Sequence, residues 1–426
     1  QPLGIFPAGE VSVRANKFIG PIHDKPWDLK SIKFIKKANV PVIPVYFHAR
    51  NSHIFYWMAD IHTILQTARL PFEVIKSKNK LISVRVGNAI SIADQNGIKS
   101  IEKYGEILRS KVYMLKHAFN KFKIKPFVQY FPKRRISEVL PYQSITELQN
   151  NITALEKADA LLFEQGDYQI FFTKINNFPA MKTELGRLRE LTFRAVGEGT
   201  NSALDLDEYD TYYHHLILWN KNEKEIVGAY RLGLGEDIYQ VRGLKGFYIS
   251  EIFHLTGSMH DILKYSIEMG RAFIVNAYQQ KPLPLFILWK GIMAVTDKFP
   301  QYKYLIGAAS ISNNYCQYSK SLIIEFLRLH YLDYLTAIDV APKLSFKSIL
   351  KSNDKQMLKD SNLKILDKLI DELEPEGLKV PILIKKYILH NAKILGFNVD
   401  IKFNDAIDVL TYIRIEDIDK GKFICH

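Results

Sequence analysis

The stretch Leu204-Asp-Leu-Asp-Glu-Tyr-Asp-Thr-Tyr-Tyr-His-His-Leu-Ile-Leu-Trp-Asn-Lys-Asn-Glu-Lys-Glu-Ile-Val-Gly-Ala-Tyr-Arg-Leu232 decides the fold. His215–Trp219 and Ile226–Leu234 are rich in aromatic and β-branched residues, the composition of strands. Asn220-Lys-Asn-Glu223 between them has the chemistry of a hairpin turn, so the pair is antiparallel. Upstream, residues 145–158 and 180–195 carry helical spacing, and Tyr168–Thr173 reads as a further strand. Downstream comes strand Phe273–Ala277, helix Leu283–Lys298, strand Tyr304–Ala309 and helix Ser319–Tyr331, a β-α-β-α run. Residues 335–380 are polar and lysine-rich and hold a helix from Asp354 to Leu373. The expected class is α/β (α+β), a mixed sheet flanked by helices.

A series of short motifs decorates these elements. They are D-x-D-x-x-D (Asp205, Asp207, Asp210), H-L (His215), V-G-A-Y-R-L ending at Arg231 and Leu232, and E-x-G-R (Glu268, Arg271). Then follow L-W-x-G at Leu288 and G-x-x-S (Gly307, Ser310). In that order, from about residue 165 to 415, they resemble the ornithine-lipid type of acyl-acyl-carrier-protein N-acyltransferases. That family is a branch of the GNAT fold similar to the acyl-homoserine-lactone synthases. The resemblance implies that a 3-hydroxyacyl chain moves from acyl carrier protein to the α-amine of a small amino acid such as ornithine or glycine. The acyl-carrier phosphopantetheine thioester is then a co-substrate, with no bound cofactor.

An activated thioester needs no covalent intermediate. The enzyme must deprotonate an ammonium group, align amine and thioester, and stabilise the oxyanion. Carboxylates suit the first task, and Glu268 and Glu251 are the expected bases. In the lactone synthases the E-x-x-R pair corresponds to Glu268 and Arg271, and the paired aspartates to Asp207 and Asp210. Arg271, Arg231, Asp207, Asp210, Ser310 and Arg194 are the expected substrate or carrier contacts. On a regular strand Glu268 and Arg271 would face opposite sides, and a bulge at Gly270 would change that. The bland alternative is a structural ion network of Asp207, Asp210, Arg231, Glu268 and Arg271. Arg187, Arg189 and Arg194 lie on a helix whose surface suits an acidic carrier or is a solvated face. Arg194 with Gly197, Glu198 and Gly199 resembles the family's opening R-x-x-x-x-E segment, and Phe403 and Asp408 resemble its terminal F…D pair. Cys316 is expected to be structural, and His215 to pack in the core.

The amino-terminal part differs in kind. Gly4-Ile-Phe-Pro-Ala-Gly-Glu-Val-Ser12 and Pro41-Val-Ile-Pro-Val-Tyr46 resemble two blocks of the glycerolipid O-acyltransferases, over about residues 3 to 95. This is the variant labelled "hemolysin", and its block residues here are Pro7, Gly9, Glu10 and Ser12. Ala8 and Val11 replace the usual Glu and Arg. The family's catalytic H-x4-D would fall upstream of Gln1, so this part is expected to be a partial domain without O-acyltransferase chemistry. His23-Asp-Lys-Pro-Trp-Asp28 spells that pattern on the wrong side of the block, with Pro26 breaking any helical turn. Ile54–Phe72 reads as one amphipathic helix, lying in a membrane interface or packed on its own sheet. Asn96–Phe122 reads as another, ahead of the basic, aromatic segment Lys121–Arg135.

The expected organisation is therefore a partial glycerolipid-acyltransferase-like domain at 1–122, a linker at 123–144 and a GNAT-like domain at 145–426. Hydrophobic residues at 47% and charged residues at 24% are ordinary for a globular protein. A net charge of +13 calls for an anionic partner. The acidic carrier protein and an anionic membrane surface are expected, and nucleic acid is not, since no recognition signature accompanies the basic segment. Two cysteines, Cys316 and Cys425, build neither a disulfide framework nor a metal site. The expected location is cytoplasmic, peripheral on the inner membrane. Two other readings stand beside this one: a lysophospholipid O-acyltransferase whose second half binds carrier, and a membrane-active hemolysin-like protein.

Overall fold

The computed structural model describes residues 2–16, 19–119, 136–359, 361–374, 377–419 and 421. The basic segment 121–135 and Cys425 lie outside the described residues. The chain forms two compact units, 1–123 with 368–378, and 124–367 with 379–426.

The second unit is built on an eight-stranded mixed sheet. Across it the strands run Lys393–Asp400, Ala406–Arg414, Tyr304–Ile311, Ser266–Ile274, Glu225–Leu234, His214–Asn220, Tyr168–Thr173 and Leu161–Gln165. Neighbours are antiparallel except Ser266–Ile274 and Tyr304–Ile311, which are parallel. Parallel strands need a crossover, and the helix Pro282–Lys298 supplies it. Proline at the start of that helix leaves no orphan N–H there, and Ile287, Leu288, Trp289, Ile292 and Val295 are buried. The helices Ile145–Lys157 and Pro179–Ala195 cover Phe171, Ile217 and Trp219, whose burial closes one core. A second core gathers Tyr213, Ile238, Phe247, Ile249, Leu263, Ile306 and Leu410.

One joint in the sheet is unlike the rest. The parallel pair holds only three rungs, Ser266–Tyr304, Ile267–Leu305 and Glu268–Ile306, although the strands are nine and eight residues long. A Cβ at Gly307 would lie 2.2 Å from the Met269 carbonyl oxygen, so glycine is required where the two backbones last approach. Beyond it the strands part. On the other edge of Ser266–Ile274, the ladder to Glu225–Leu234 skips from Gly270–Arg231 to Phe273–Ala229. Arg271 and Ala272 thus oppose the single residue Tyr230, a bulge, and Arg271 has φ +47°.

Several boundaries differ from the sequence reading. The strand expected at Phe273–Ala277 begins at Ser266, so Glu268 and Arg271 lie within it. The expected helix 96–122 is divided into Ile92–Asn96 and Ile101–Met114, with Ser100 capping the second through the Lys103 N–H. Ile54–Phe72 is also two helices, His53–Ile61 and Thr63–Lys76, because His62 is extended and caps the second. The 354–373 region is Ser352–Lys359 and Leu363–Leu373, the latter capped by Asn362.

In the first unit, strands Val45–His48 and Ser83–Val86 pair, and so do Val13–Asn16 and Ile19–His23. Its small core gathers Ile32, Ile35, Ile90, Tyr104 and Leu108. Among the described residues no helix is long and apolar enough to cross a membrane.

Candidate active site

The parted strands open a cleft lined by Glu268, Met269, Gly270, Arg271 and Ala272 on one side and Ala308, Ala309 and Ser310 on the other. Phe193, Glu198, Tyr248, Ile249, Leu383, Tyr387, Phe403 and Asp408 complete its walls. Peptide groups on the facing edges of the two strands lack a strand partner beyond the third rung, so the cleft offers backbone donors and acceptors at its floor.

Beside the cleft lies a buried ion network. Asp210 is held by Arg189 at 2.8 Å, Arg231 at 3.4 Å and His215 Nε2 at 3.0 Å, with side chains essentially sealed from solvent. Arg231 also pairs with Asp207, and Arg271 pairs with both Asp205 and Asp207 at 3.1 Å. Asp207 and Asp210 cap their own short turn reciprocally: Asp207 Oδ1 accepts from the Tyr209 N–H, and Asp210 Oδ2 from the Asp207 N–H. Burial raises the Asp210 carboxyl, but the guanidinium groups of Arg189 and Arg231 outweigh it and hold it far below the usual carboxylate range. Burial lowers His215 to about 4, so it is neutral.

The sequence-expected residues divide accordingly. Arg271, Arg231, Asp207 and Asp210 come together, yet Glu268 does not join them. Its carboxylate accepts hydrogen bonds from the Tyr213 hydroxyl, the Tyr248 N–H at 3.2 Å and the Ile249 N–H at 2.9 Å. Burial raises its pKa. Through these bonds Glu268 fixes the turn Tyr248–Glu251 against the sheet. Glu251 is partly exposed, accepting from Tyr209 at 2.9 Å and from Lys402 at 2.6 Å. Burial pushes its carboxyl up, but the bonds from Lys402 and Tyr209 prevail and its pKa is lowered. Arg194 donates to Glu190 at 2.6 Å and to the Ser202 carbonyl at 2.7 Å, and Arg187 pairs with Glu184. Arg189, read as a surface residue, is buried. Alone among the described arginines, Arg271 lines the cleft, its guanidinium 4.9 Å from the Tyr248 ring and 4.6 Å from the Phe403 ring.

Ser310 reaches a group that the sequence offered only as part of a motif: its hydroxyl donates to Glu198 at 2.7 Å. Ser310 is also the cross-strand partner of Asp408, so those two side chains share a face. Burial raises the pKa of both Glu198 and Asp408. Only strand register could have joined three residues so far apart in the chain.

In the first unit, Glu10 pairs with Lys25, and Ser12 donates to Asp24 at 2.6 Å. Gly9 has φ +64° and closes a turn onto the Phe6 carbonyl at 3.0 Å, while the Pro7 carbonyl accepts from the Asp28 N–H at 2.9 Å. The Asp28 side chain caps the helix Leu29–Lys37, and His23 turns to the Val13 carbonyl instead. Among the described residues no cluster of three or more His, Cys, Asp or Glu has the geometry to hold a metal.

Comparison with known proteins agrees with the sheet. Residues 188–289 match the acetyltransferase (GNAT) domain family. A glycine N(alpha)-acyltransferase from Bacteroides thetaiotaomicron is 30% identical over 275 residues, covering 61% of this chain and 80% of the relative. Its counterpart in Phocaeicola vulgatus is 28% identical over 271 residues, covering 61% of this chain and 83% of the relative. A lyso-glycine lipid O-acyltransferase from Bacteroides thetaiotaomicron is 31% identical over 117 residues, 26% of this chain and 42% of that protein. Among solved structures, a CoA-dependent acyl-homoserine lactone synthase aligns at 10% identity with a TM-score of 0.28, covering 60% of this chain and 96% of that one.

Proposed function

Since the chain belongs to the acyltransferase family of the glycine N(alpha)-acyltransferases, we propose that it joins a fatty acyl group, delivered as a thioester, to the α-amine of glycine or a similarly small amino acid. The observation that carries this reading is the cleft between the parted strands. A phosphopantetheine arm carries two amides, and such a chain pairs with unpartnered strand edges as an added strand would. That seat would bring the thioester carbonyl to the peptide N–H groups between Met269 and Arg271 or Gly307 and Ser310, which suit an oxyanion. Phe193, Leu383 and Tyr387 give the apolar wall an acyl chain needs.

The reaction forms one C–N bond and breaks one C–S bond. The ammonium group loses two protons: one goes to a base, and the other returns to the departing thiolate.

Acyl carrier protein is the proposed donor, in keeping with the net charge of +13, which favours an acidic partner. A peripheral, cytoplasmic membrane location goes with a lipid product. Exposed Ile54, Trp57, Ile61, Ile64 and Phe72 in the first unit support contact with lipid.

The test is to incubate the purified chain with acyl-carrier or coenzyme A thioesters and a panel of amino acids, and to detect amides by mass spectrometry. Acylglycine made preferentially from the carrier thioester is the expected result. Absence of any amide with every donor and acceptor overturns the reading, and preference for coenzyme A overturns its donor clause.

A further inference from the structure

The acyl-transfer reading leaves open which group takes the ammonium proton, and its two expected carboxylates are both occupied. Glu268 accepts from one hydroxyl and two N–H donors that hold it to the turn Tyr248–Glu251, and Glu251 is tied to Lys402 and Tyr209 outside the cleft lining. Two other carboxylates line the cleft, Glu198 and Asp408. Resting on that reading of the function, we propose that Asp408 is the general base and that Glu198, held by Ser310, is its partner in seating the substrate ammonium.

The geometry argues this in four steps. First, Asp408 Oδ2 is enclosed and accepts no hydrogen bond from any described residue. An enclosed, unanswered carboxylate oxygen on a cleft wall is a costly feature that a cationic substrate group would relieve. Second, Glu198 is placed with care. The Val196 carbonyl before it accepts from Ser312 at 2.5 Å and from Asn314 at 3.0 Å, and the Gly197 carbonyl accepts from Asn404 at 2.9 Å. Its own Oε2 then meets Ser310 at 2.7 Å, which leaves Oε1 for a ligand.

Third, the charges facing Asp408 do not balance. Asp400 and Glu198 disfavour its ionisation; Arg271 and a hydrogen bond with Asn398 favour it, and burial outweighs them both. Asp400 Oδ2 is likewise enclosed without a partner. Arg271, the cation among these groups, is committed to Asp205 and Asp207. These cleft carboxylates therefore have no described cation of their own, a place that an ammonium fills. Fourth, a carboxyl raised towards neutrality is matched to its task, because it takes a proton readily at the operating pH.

In the step itself, one N–H bond breaks as its proton passes to the Asp408 carboxylate, and the freed nitrogen lone pair attacks the thioester carbonyl. As the tetrahedral centre collapses, the C–S bond breaks and the sulfur takes the second nitrogen proton. Asp408 then returns its proton to water through the open end of the cleft.

The experiment measures kcat/KM for amide formation from an acyl-carrier thioester and glycine between about pH 4 and 10. Wild type, Asp408→Asn, Glu198→Gln and Ser310→Ala are compared. Asp408→Asn should lower kcat/KM by about 10²–10⁴-fold at neutral pH, with partial recovery at high pH where glycine loses its proton in solution. Glu198→Gln should raise KM for glycine and shift the acidic limb of the wild-type profile to lower pH, because a like charge beside Asp408 is gone. Ser310→Ala should act in the same direction and more weakly, since Glu198 loses the bond that favours its ionised form. The proposal is overturned if wild type is active while Asp408→Asn and Glu198→Gln stay within threefold of it. It is overturned equally, whatever the variants' folding, if the wild-type profile is flat down to the ordinary carboxylate range. A wild type inactive on every thioester and amine would instead sink the functional reading beneath it.

Discussion

Two groups of acidic residues lie around Arg271, and the protein treats them in opposite ways. Asp205, Asp207 and Asp210 are met by Arg189, Arg231 and Arg271, with His215 alongside. Glu198, Asp400 and Asp408 have a hydroxyl, a few amides and a share in Arg271, which is already engaged. Residue type does not separate the groups, and neither does burial. The difference lies in the arithmetic of compensation. A buried carboxylate answered by guanidinium groups holds a loop in place, whereas one left unanswered is strained towards protonation and open to a cationic ligand.

That contrast can be broken most forcefully on the compensated side. Arg189→Met or Arg231→Met would leave Asp210 or Asp207 short of a partner, at a cost of about 3–5 kcal/mol. For a unit of this size, thermal unfolding should show Tm falling by roughly 10 °C. If both variants melt within a degree or two of wild type, the network does not hold the fold.

Acid should come next. His215 has a folded pKa of about 4 against an ordinary 6.5, so it is depressed. Its contribution is complete above 6.5 and is lost as pH falls from 6.5 towards 4, about 1–3 kcal/mol in all. His215→Gln keeps a donor to Asp210 and should flatten that slope in urea titrations run across the window.

The uncompensated side predicts a smaller change of the opposite sign. Asp408 is raised, so its folded state is most comfortable below the ordinary carboxylate range and loses stability as pH rises through the raised value. Asp408→Asn should therefore melt above wild type at pH 8, by about 1 kcal/mol, with the gap closing in acid. A variant that melts lower at every pH would place Asp408 with the structural carboxylates.

Least of all should depend on Glu10. It pairs with Lys25 in solvent, and Glu10→Ala should change stability by no more than about 0.5 kcal/mol. It should leave amide formation untouched. An effect of tenfold on that rate would tie the first unit to the chemistry.

Much of the sheet was legible because its strands obey composition. His214–Asn220 and Glu225–Leu234 pair through the turn that their sequence announces. Ile145–Lys157 and Pro179–Ala195 fall within a residue of the helical spacing. The strand Ser266–Ile274 was missed but for its last two residues because Glu268, Gly270 and Arg271 argue locally against a strand, and only tertiary pairing overrides them. Arg189 read as surface for a similar reason: periodicity shows a charge on a helix, never whether aspartates across the fold are waiting for it. The grouping of Glu198, Ser310 and Asp408 was beyond local reading, since it depends on the register of two antiparallel strands. Breaks at His62 and Ser100 were visible in principle, because both residues cap the helices that follow them.

Gly307 gives the parted strands a further meaning. With its missing Cβ 2.2 Å from the Met269 carbonyl, it works like the stop on a zip fastener, setting how far up the two backbones are closed. Any side chain there would lower the stop by a rung and lengthen the mouth, carrying the point of transfer away from Ser310 and its carboxylates. A single hydrogen atom thereby sets the distance between a sheet that holds together and one that takes in a guest.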